Sequence, residues 1–178
     1  MPQRNHPLSK VYALLEPGPV LLLATVGEEW PNVMTLSWHM PVEFEPPLVA
    51  CVLSNMDYSY GLLKAARECT LNIPTVELAD KVVAAGNCSG REVDKFATYG
   101  LGTRPSTLVR APRVVDCYAS LECRVSDTRM ANRYGIFILE VVKAWVDSSM
   151  KAPKTLHHRG NGLFMVAGDT IRLASGMP

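Results

Sequence analysis

Apolar runs alternate with short polar or proline-containing segments along most of this chain, and only a few runs repeat with a helical period. Residues 20–26 form an apolar run broken by one threonine, which indicates a buried strand. Residues 32–39 and 48–54 extend the pattern as two more strands, on either side of a Pro-Pro pair. The first third of the chain therefore predicts consecutive β-strands.

The rest of the chain adds short helices and longer strands. Helical spacing or capping residues mark residues 9–15, 57–67, 78–86 and 92–99, and the first helix is expected to stop at the proline-rich residues 16–19. Long strands are predicted over residues 117–125 and 134–146, followed by a C-terminal hairpin between residues 162–166 and 170–173. Residues 1–8 are predicted to be a polar N-terminal arm.

Many strands, few helices and no regular βαβ alternation favour a mainly β protein, a barrel or a sandwich with helical insertions. The chain has 178 residues and contains no repeat or long linker, so a single domain over residues 1–178 is expected. With 48% hydrophobic residues, a sizeable core is possible.

Charge and cysteine content narrow the functional classes. The 18 basic and 17 acidic residues give a net charge of +1 without a basic stripe, which argues against nucleic-acid binding and against docking to anionic membranes. The five cysteines form no C-x-x-C pair, so reduced thiols and a cytoplasmic location are expected. No segment predicts a membrane span or a clean signal peptide.

The segment 32–39 combines small polar side chains with a large aromatic residue. Strict alternation places Asn32, Met34, Leu36 and Trp38 on one face and Val33, Thr35, Ser37 and His39 on the other. One interpretation is a solvent-facing edge strand with ordinary surface hydroxyls. The alternative is the wall of a site for a polar aromatic cofactor.

The segment 54–59 follows a strand and opens a helix, whose free N–H groups and dipole can hold a phosphate. An ordinary capped helix is the competing interpretation, and Asp57 supports it because a carboxylate repels an anion unless it turns away. The loop before Lys95 is built of small residues that let a ligand approach the backbone. Lys95 could neutralise a phosphate or a ring carbonyl, or could be an ordinary solvated lysine.

The ordered set of these segments resembles the flavin reductase-like, FMN-binding split-barrel family, in particular its flavoredoxin-like branch. The matching segments are residues 32–38, 46–47, 57–59, 72–74, 88–90, 94–96, 121–123 and 157–164. The resemblance implies a six-stranded antiparallel Greek-key split barrel. It also implies a homodimer with FMN in a groove at or near the subunit interface.

The resemblance also implies roles for individual residues. The residues expected to contact the isoalloxazine ring are Asn32, Val33, Met34, Thr35, Ser37 and Trp38. The residues expected on the phosphate side are Ser54, Asn55, Tyr58 and Ser59, with Lys95 as a charged contributor. Asn72, Ile73, Cys88, Ser89 and Gly90 would line the cofactor, and Phe164 of the same or the partner subunit would cover it.

The function implied is that of an NAD(P)H-dependent flavin reductase, in which hydride passes from the nicotinamide to flavin N5 and electrons then pass to a small-molecule or protein acceptor. This chemistry requires no side-chain acid or base, and neither a catalytic residue nor a metal ligand set is predicted. Two alternatives stay open. One is a non-enzymatic electron carrier, a flavoredoxin reduced by a protein partner, and the other is an interaction module that binds no flavin.

Overall fold

An antiparallel sheet of eight strands frames the protein in the computed structural model, which describes residues 3–15 and 18–174. The strands in chain order are β1 (Gln3–His6), β2 (Leu21–Thr25), β3 (Asn32–Leu36), β4 (His39–Glu43), β5 (Leu48–Val52), β6 (Glu68–Ile73), β7 (Thr103–Arg104), β8 (Arg113–Val114), β9 (Ala119–Asp127), β10 (Ile136–Asp147), β11 (Leu156–His158) and β12 (Phe164–Val166). The pairs β7–β8 and β11–β12 form two separate ribbons, and the other strands form the sheet.

Five α-helices and two short 3₁₀ helices (Leu8–Lys10 and Val76–Leu78) accompany the sheet in the described residues; the α-helices are α1 (Tyr12–Leu15), α2 (Tyr58–Ala66), α3 (Ala79–Gly86), α4 (Lys95–Tyr99) and α5 (Ala131–Tyr134). Helix α4 begins after Asp94, whose carboxylate accepts hydrogen bonds from the N–H groups of Phe96 and Ala97. Helix α2 ends at Arg67, which adopts a left-handed conformation. None of the helices in the described part of the chain is long and apolar enough to cross a membrane.

The sheet curls because its two outermost strands are almost consecutive in the chain. The strand order is β3-β2-β6-β9-β10-β5-β4, so β3 and β4 lie at opposite ends. Only Ser37 and Trp38 separate these two strands, and the Trp38 carbonyl accepts a hydrogen bond of 2.9 Å from the N–H of Val52. A two-residue connection cannot span a flat sheet of seven strands, which lie about 4.8 Å apart, so the edges must meet.

Two apolar clusters cover the two faces of the curled sheet. The inner cluster takes alternate residues from each strand, for example Leu23, Leu71 and Phe137. The outer cluster joins the opposite face of β2 and β3 to α3 and α4, for example through Val33 and Phe96. Because β2 and β3 are covered on both faces, helices α3 and α4 hold a fixed position over β3.

The structure confirms the predicted antiparallel barrel with helical insertions, but the sheet has eight strands rather than six. Within the predicted polar arm, residues 3–6 form strand β1, which the sequence did not predict, and residues 1 and 2 lie outside the described residues. Strand β10 has 12 residues and β5 pairs only with its first part, so its last residues are free to pair with β1. A strand can form on backbone hydrogen bonds alone, without an apolar pattern.

The predicted C-terminal hairpin is wrong, because one of its two strands pairs with a different segment. Strand β12 pairs with the preceding β11, not with residues 170–173, which form no regular element. The turn lies at Gly160, Asn161 and Gly162, which all have positive φ angles. The predicted stop of the first helix falls partly on residues 16 and 17, outside the described residues.

A buried carboxylate fixes the loop between β7 and β8. Glu122 on β9 is fully buried and accepts hydrogen bonds from the N–H groups of Thr107 and Leu108 and from the Trp145 indole. Burial raises the pKa of Glu122, but the hydrogen bonds from Leu108, Thr107 and Trp145 lower it, and the net effect holds this pKa below its usual 4.5.

We expect Glu122→Gln to lower the free energy of unfolding at neutral pH by about 1–3 kcal/mol, because an amide nitrogen cannot accept from the loop N–H groups. The pKa of Glu122 is lower in the folded state, so its stabilisation is present above 4.5 and is lost as the pH falls through the lowered pKa. The difference in the free energy of unfolding between wild type and variant, measured by urea unfolding, should therefore become smaller at acidic pH. Glu45→Gln, at an exposed glutamate, is the control and should change little at any pH.

Candidate functional site

Three adjoining cavities surround Thr35 at the end of β3 and together form one groove. The Trp38 cavity, of about 480 Å³, lies between residues 34–38, 52–55 and 131–135. The Lys95 cavity, of about 250 Å³, lies between the start of β3, the start of α2 and residues 85–90. The Phe164 cavity, of about 240 Å³, lies between Thr35, α3 and the β11–β12 ribbon. Thr35 lines all three cavities.

The Lys95 cavity contains buried polar groups with unused hydrogen-bonding capacity. The Asn32 amide donates to the Ser59 hydroxyl at 2.8 Å and to the Thr25 hydroxyl at 3.3 Å. Its Oδ1 atom is buried and has no hydrogen-bond partner among the described residues. Lys95 is 4% exposed, and its ammonium donates to the Ala85 carbonyl at 2.7 Å, which leaves two N–H groups. The cavity therefore offers both an acceptor and a cation.

Burial lowers the pKa of Lys95, although the nearby Cys88 and Asp57 act in the opposite direction. Asp57 precedes α2 and lines the Lys95 cavity. One oxygen of its carboxylate accepts a hydrogen bond of 3.0 Å from the N–H of Ser54, which holds the acidic group against the preceding turn. An anion in the cavity would meet Lys95 and the start of α2, with the Asp57 carboxylate beside them.

The loop of residues 88–90 closes this cavity. The Cys88 thiol lies 3.1 Å from the Tyr99 hydroxyl, and the Ser89 hydroxyl accepts from the N–H of Arg91. Gly90 is buried against Asn32: a Cβ atom at this position would lie 1.8 Å from Asn32 Oδ1. Only glycine allows this close approach.

The Trp38 cavity is the most open part of the groove. Trp38 is 71% exposed, and Ser54 and Asn55 line the same cavity. The remaining wall comes from α5 and Gly135, whose carbonyl accepts a hydrogen bond from the N–H of Leu53. This cavity could admit a second ring beside a bound one.

The Phe164 cavity forms the third part of the groove. Thr35 donates its hydroxyl to the Val82 carbonyl at 2.5 Å, and Gly86 lets α3 approach Thr35, since a Cβ there would lie 3.3 Å from it. The Phe164 ring contacts His158 at 5.1 Å between ring centroids. Phe164 thus faces the groove of its own chain beside Thr35.

The structure brings most of the predicted site residues to the groove. Those lining it are Asn32, Met34, Thr35, Ser37, Trp38, Ser54, Asn55, Tyr58, Ser59, Cys88, Ser89, Gly90, Lys95 and Phe164. The predicted phosphate-side set is divided, because Ser54 and Asn55 lie in the Trp38 cavity whereas Tyr58 and Ser59 lie with Lys95.

Three predicted residues do not line the groove. Val33 and Ile73 belong to the outer and inner apolar clusters. Asn72 is buried with its amide fully used, donating to the Leu22 carbonyl and Thr70 hydroxyl and accepting from the N–H of Val114. Its hydrogen bond to β8 explains why an amide is needed there.

Sequence reasoning missed the wall formed by α5 and Gly135, residues 131–135, and Asn87 beside Cys88. Residues 132–135 lie about 80 positions from Ser54 in the chain, and no local pattern connects them. The single available signal is Gly135, which adopts a positive φ and packs so closely that a Cβ would lie 2.1 Å from the Leu53 carbonyl oxygen.

The groove suits a flat polar ring joined to an anion. The Lys95 cavity supplies a cation for the anion and an unused acceptor for a hydroxyl, and the surroundings of Thr35 supply a wall for the ring. Among the described residues that line the groove, no pair of side chains is arranged as a general acid and base.

Comparison with known proteins agrees with this geometry. A sequence model of the flavin reductase like domain family matches residues 14–162. The YddH protein of Escherichia coli is 33% identical over 172 residues, which covers 89% of this chain and 91% of that protein. A protein of Archaeoglobus fulgidus is 33% identical over 120 residues, covering 67% of this chain and 68% of its own.

Solved structures show the same fold. An FMN-binding domain of a flavin reductases-like enzyme from Shewanella baltica gives a TM-score of 0.91 at 24% identity, covering 97% of this chain and 98% of that one. Flavoredoxin of Desulfovibrio vulgaris gives 0.81 at 24% identity, covering 89% and 91%. The predicted split-barrel fold is thereby confirmed.

We expect Gly90→Ala to lower the free energy of unfolding by about 1–3 kcal/mol, because the added methyl group overlaps Asn32, which Thr25 and Ser59 hold in place. Gly61→Ala is the matched control. A Cβ at Gly61 meets nothing within 4 Å, and alanine favours the α2 helix by about 1 kcal/mol. Urea unfolding should separate the two variants, and equal stability would mean that Asn32 moves freely.

Proposed function

The chain belongs to the flavin reductase like domain family, and we propose that it is a flavin reductase that binds FMN in the groove around Thr35 and takes hydride from NADH or NADPH. Bound FMN would supply the redox chemistry, accepting hydride at N5 and passing electrons to a small-molecule or protein acceptor. The observation that carries the proposal is the buried pair of Lys95 and Asn32, each with unused hydrogen-bonding capacity, in one cavity of the groove.

The Lys95 cavity would hold the FMN phosphate. The two remaining N–H groups of Lys95 and the free N–H groups at the start of α2 are suited to phosphate oxygens. Ser59 already accepts from Asn32, so its own hydroxyl hydrogen is available to donate.

Asn32 Oδ1 would accept a hydrogen bond from the ribityl chain, which carries hydroxyl groups between the ring and the phosphate. A phosphate dianion has no hydrogen to donate, so the buried acceptor fits a hydroxyl better than a phosphate oxygen. The ring would then extend past Thr35 and Ser37 towards Trp38, which places it between the Trp38 and Phe164 cavities.

The protein's contribution to hydride transfer would be position. The open Trp38 cavity would let a nicotinamide ring stack on the flavin, and Trp38 and α5 would limit its movement. Cys88 is not needed as a nucleophile, because no step requires a covalent bond to the protein.

The decisive experiment is the visible spectrum of purified protein, recorded with added FMN and then with anaerobic NADH or NADPH. We expect bound flavin that bleaches rapidly with one of the two donors. Bound flavin that stays yellow with both donors would contradict the reductase and favour an electron carrier reduced by a protein. Protein that never binds FMN would contradict both.

We expect Lys95→Gln to weaken the binding of FMN by roughly 10- to 100-fold and the binding of riboflavin far less, because only FMN carries the phosphate that Lys95 would neutralise. Fluorescence titration of both ligands measures the difference. Lys151→Gln, in a separate surface cavity, is the control. An equal loss of affinity for FMN and for riboflavin would mean that the phosphate binds elsewhere.

The same pair of ligands gives a pH test. The pKa of Lys95 lies below 10.5 in the free protein, so the ammonium loses its charge as the pH rises through that lowered value. Affinity for FMN should therefore fall in the alkaline range while affinity for riboflavin stays level. Lys95→Gln should abolish this pH dependence, and a dependence that survives the substitution would assign the titration to another group.

We also propose that the protein is a homodimer through the outer side of β4. Trp38, Met40, Val42 and Phe44 alternate along this segment and are each 45% exposed or more. A row of large apolar side chains next to the groove is typical of a protein–protein interface. Because Trp38 belongs both to this apolar row and to the wall of the groove, the interface would lie at the mouth of the groove.

We expect the double variant Met40→Glu and Val42→Glu to be monomeric at concentrations where the wild type is dimeric, because carboxylates would be buried without partners. Sedimentation velocity measures the two species. Leu108→Glu, at another exposed leucine, is the control and should stay dimeric. A monomeric wild type would contradict the proposed interface.

A further inference from the structure

A further cleft continues from the phosphate end of the groove. This Trp30 cleft has a volume of about 420 Å³ and is lined by Glu28, Glu29, Trp30, Tyr58, Gly90 and Arg91. It shares Tyr58 and Gly90 with the Lys95 cavity. The proposed FMN fills the groove without entering it, and the volume lies within the range of small-ligand pockets.

We propose that the Trp30 cleft binds the adenosine 5′-phosphate half of a dinucleotide. The inference deepens the proposed function, since the other half would lie in the flavin groove, but adenylate binding itself can be measured without a flavin. Two dinucleotides share this chemistry: FAD, whose flavin would occupy the groove, and the nicotinamide donor.

The cleft offers aromatic surface at a fixed position. The Trp30 indole donates a hydrogen bond of 3.2 Å to the Gly90 carbonyl, which ties its ring to the loop that closes the Lys95 cavity. Tyr58, at the start of α2, lines the same cleft, with the Arg91 guanidinium 5.3 Å from its ring centroid. Purine bases stack on aromatic surfaces of this kind.

The charges are suited to an adenylate. Arg91 lines the cleft and follows Gly90, a residue that the cleft shares with the Lys95 cavity, where the phosphates of a dinucleotide would pass. The exposed carboxylates Glu28 and Glu29 lie in the same cleft and can accept hydrogen bonds from ribose hydroxyls, a known role of acidic residues in nucleotide sites. The same carboxylates would repel a 2′-phosphate.

Continuity through Tyr58 and Gly90 favours a dinucleotide over an unrelated ligand. In a dinucleotide the adenylate is joined through a phosphate, and the cleft opens where the groove would hold a phosphate. A free aromatic ligand would stack on Trp30 and Tyr58 but would make no polar contact with Arg91, Glu28 or Glu29.

The first test is calorimetric titration of the flavin-free protein with 5′-AMP and with 2′,5′-ADP. We expect 5′-AMP to bind and 2′,5′-ADP to bind more weakly. Trp30→Leu should weaken the binding of 5′-AMP by roughly 5- to 100-fold, which is the loss of affinity typical when a stacking ring is removed. Trp30→Phe keeps a ring and should stay within about 3-fold of wild type if stacking is the main contribution.

Arg91→Gln provides a second variant that keeps the Trp30 contact with Gly90. Arg91→Gln should weaken the binding of 5′-AMP but not that of adenosine, whereas Lys151→Gln should change the affinity for neither ligand. Failure of 5′-AMP to bind the wild type, or equal binding by wild type, Trp30→Leu and Arg91→Gln, would overturn the inference.

Titration with FAD and FMN identifies the source of the adenylate. Tighter binding of FAD than FMN, lost in Trp30→Leu, assigns the cleft to a flavin dinucleotide. Equal flavin affinities with a raised KM for NADH in Trp30→Leu assign it to the donor; both results support the inference. Binding of 5′-AMP without any flavin would overturn the proposed function and leave the adenylate site in place.

Discussion

The two-residue connection between β3 and β4 is the constraint from which the site follows. Because Ser37 and Trp38 alone carry the chain from one edge of the sheet to the other, the sheet cannot be flat. The same connection places the end of β3 at the meeting point of both edges. The groove therefore lies where the barrel is split, and the residues of the connection form part of its wall.

Cover on both faces of β3 gives the groove its rigidity. The outer cluster fixes α3 over the strand, and Gly86 allows the helix to approach Thr35 closely. Asn32 joins β3 to α2 through Ser59, while Gly90 brings the next loop against the same amide. A ligand in the groove would thus meet groups that are already held in place, which lowers the entropy that its binding must overcome.

The sequence predicted those features that depend on local pattern. Apolar runs located most strands, and ordered polar fragments located the residues of the Lys95 cavity. It missed β1, because a polar segment can pair by backbone hydrogen bonds alone, and it missed α5, because Tyr134 reaches the groove only after the sheet has curled. It misplaced Asn72, since an asparagine that satisfies a loop and one that faces a ligand have the same appearance in a strand.

The contrast between the two asparagines shows how the structure separates these roles. Asn72 and Asn32 are both buried in strands, but every polar atom of the Asn72 side chain has a partner within the fold, whereas Asn32 Oδ1 has none among the described residues. Other buried polar atoms are also unpaired, on His6, His39, Arg113 and Asp147, but none of these residues lines the groove. An unpaired buried acceptor is costly, and the cost is removed if a bound molecule supplies the donor. The imbalance at Asn32, next to a buried ammonium with unused donors, therefore indicates where a ligand belongs more directly than the shape of the groove does.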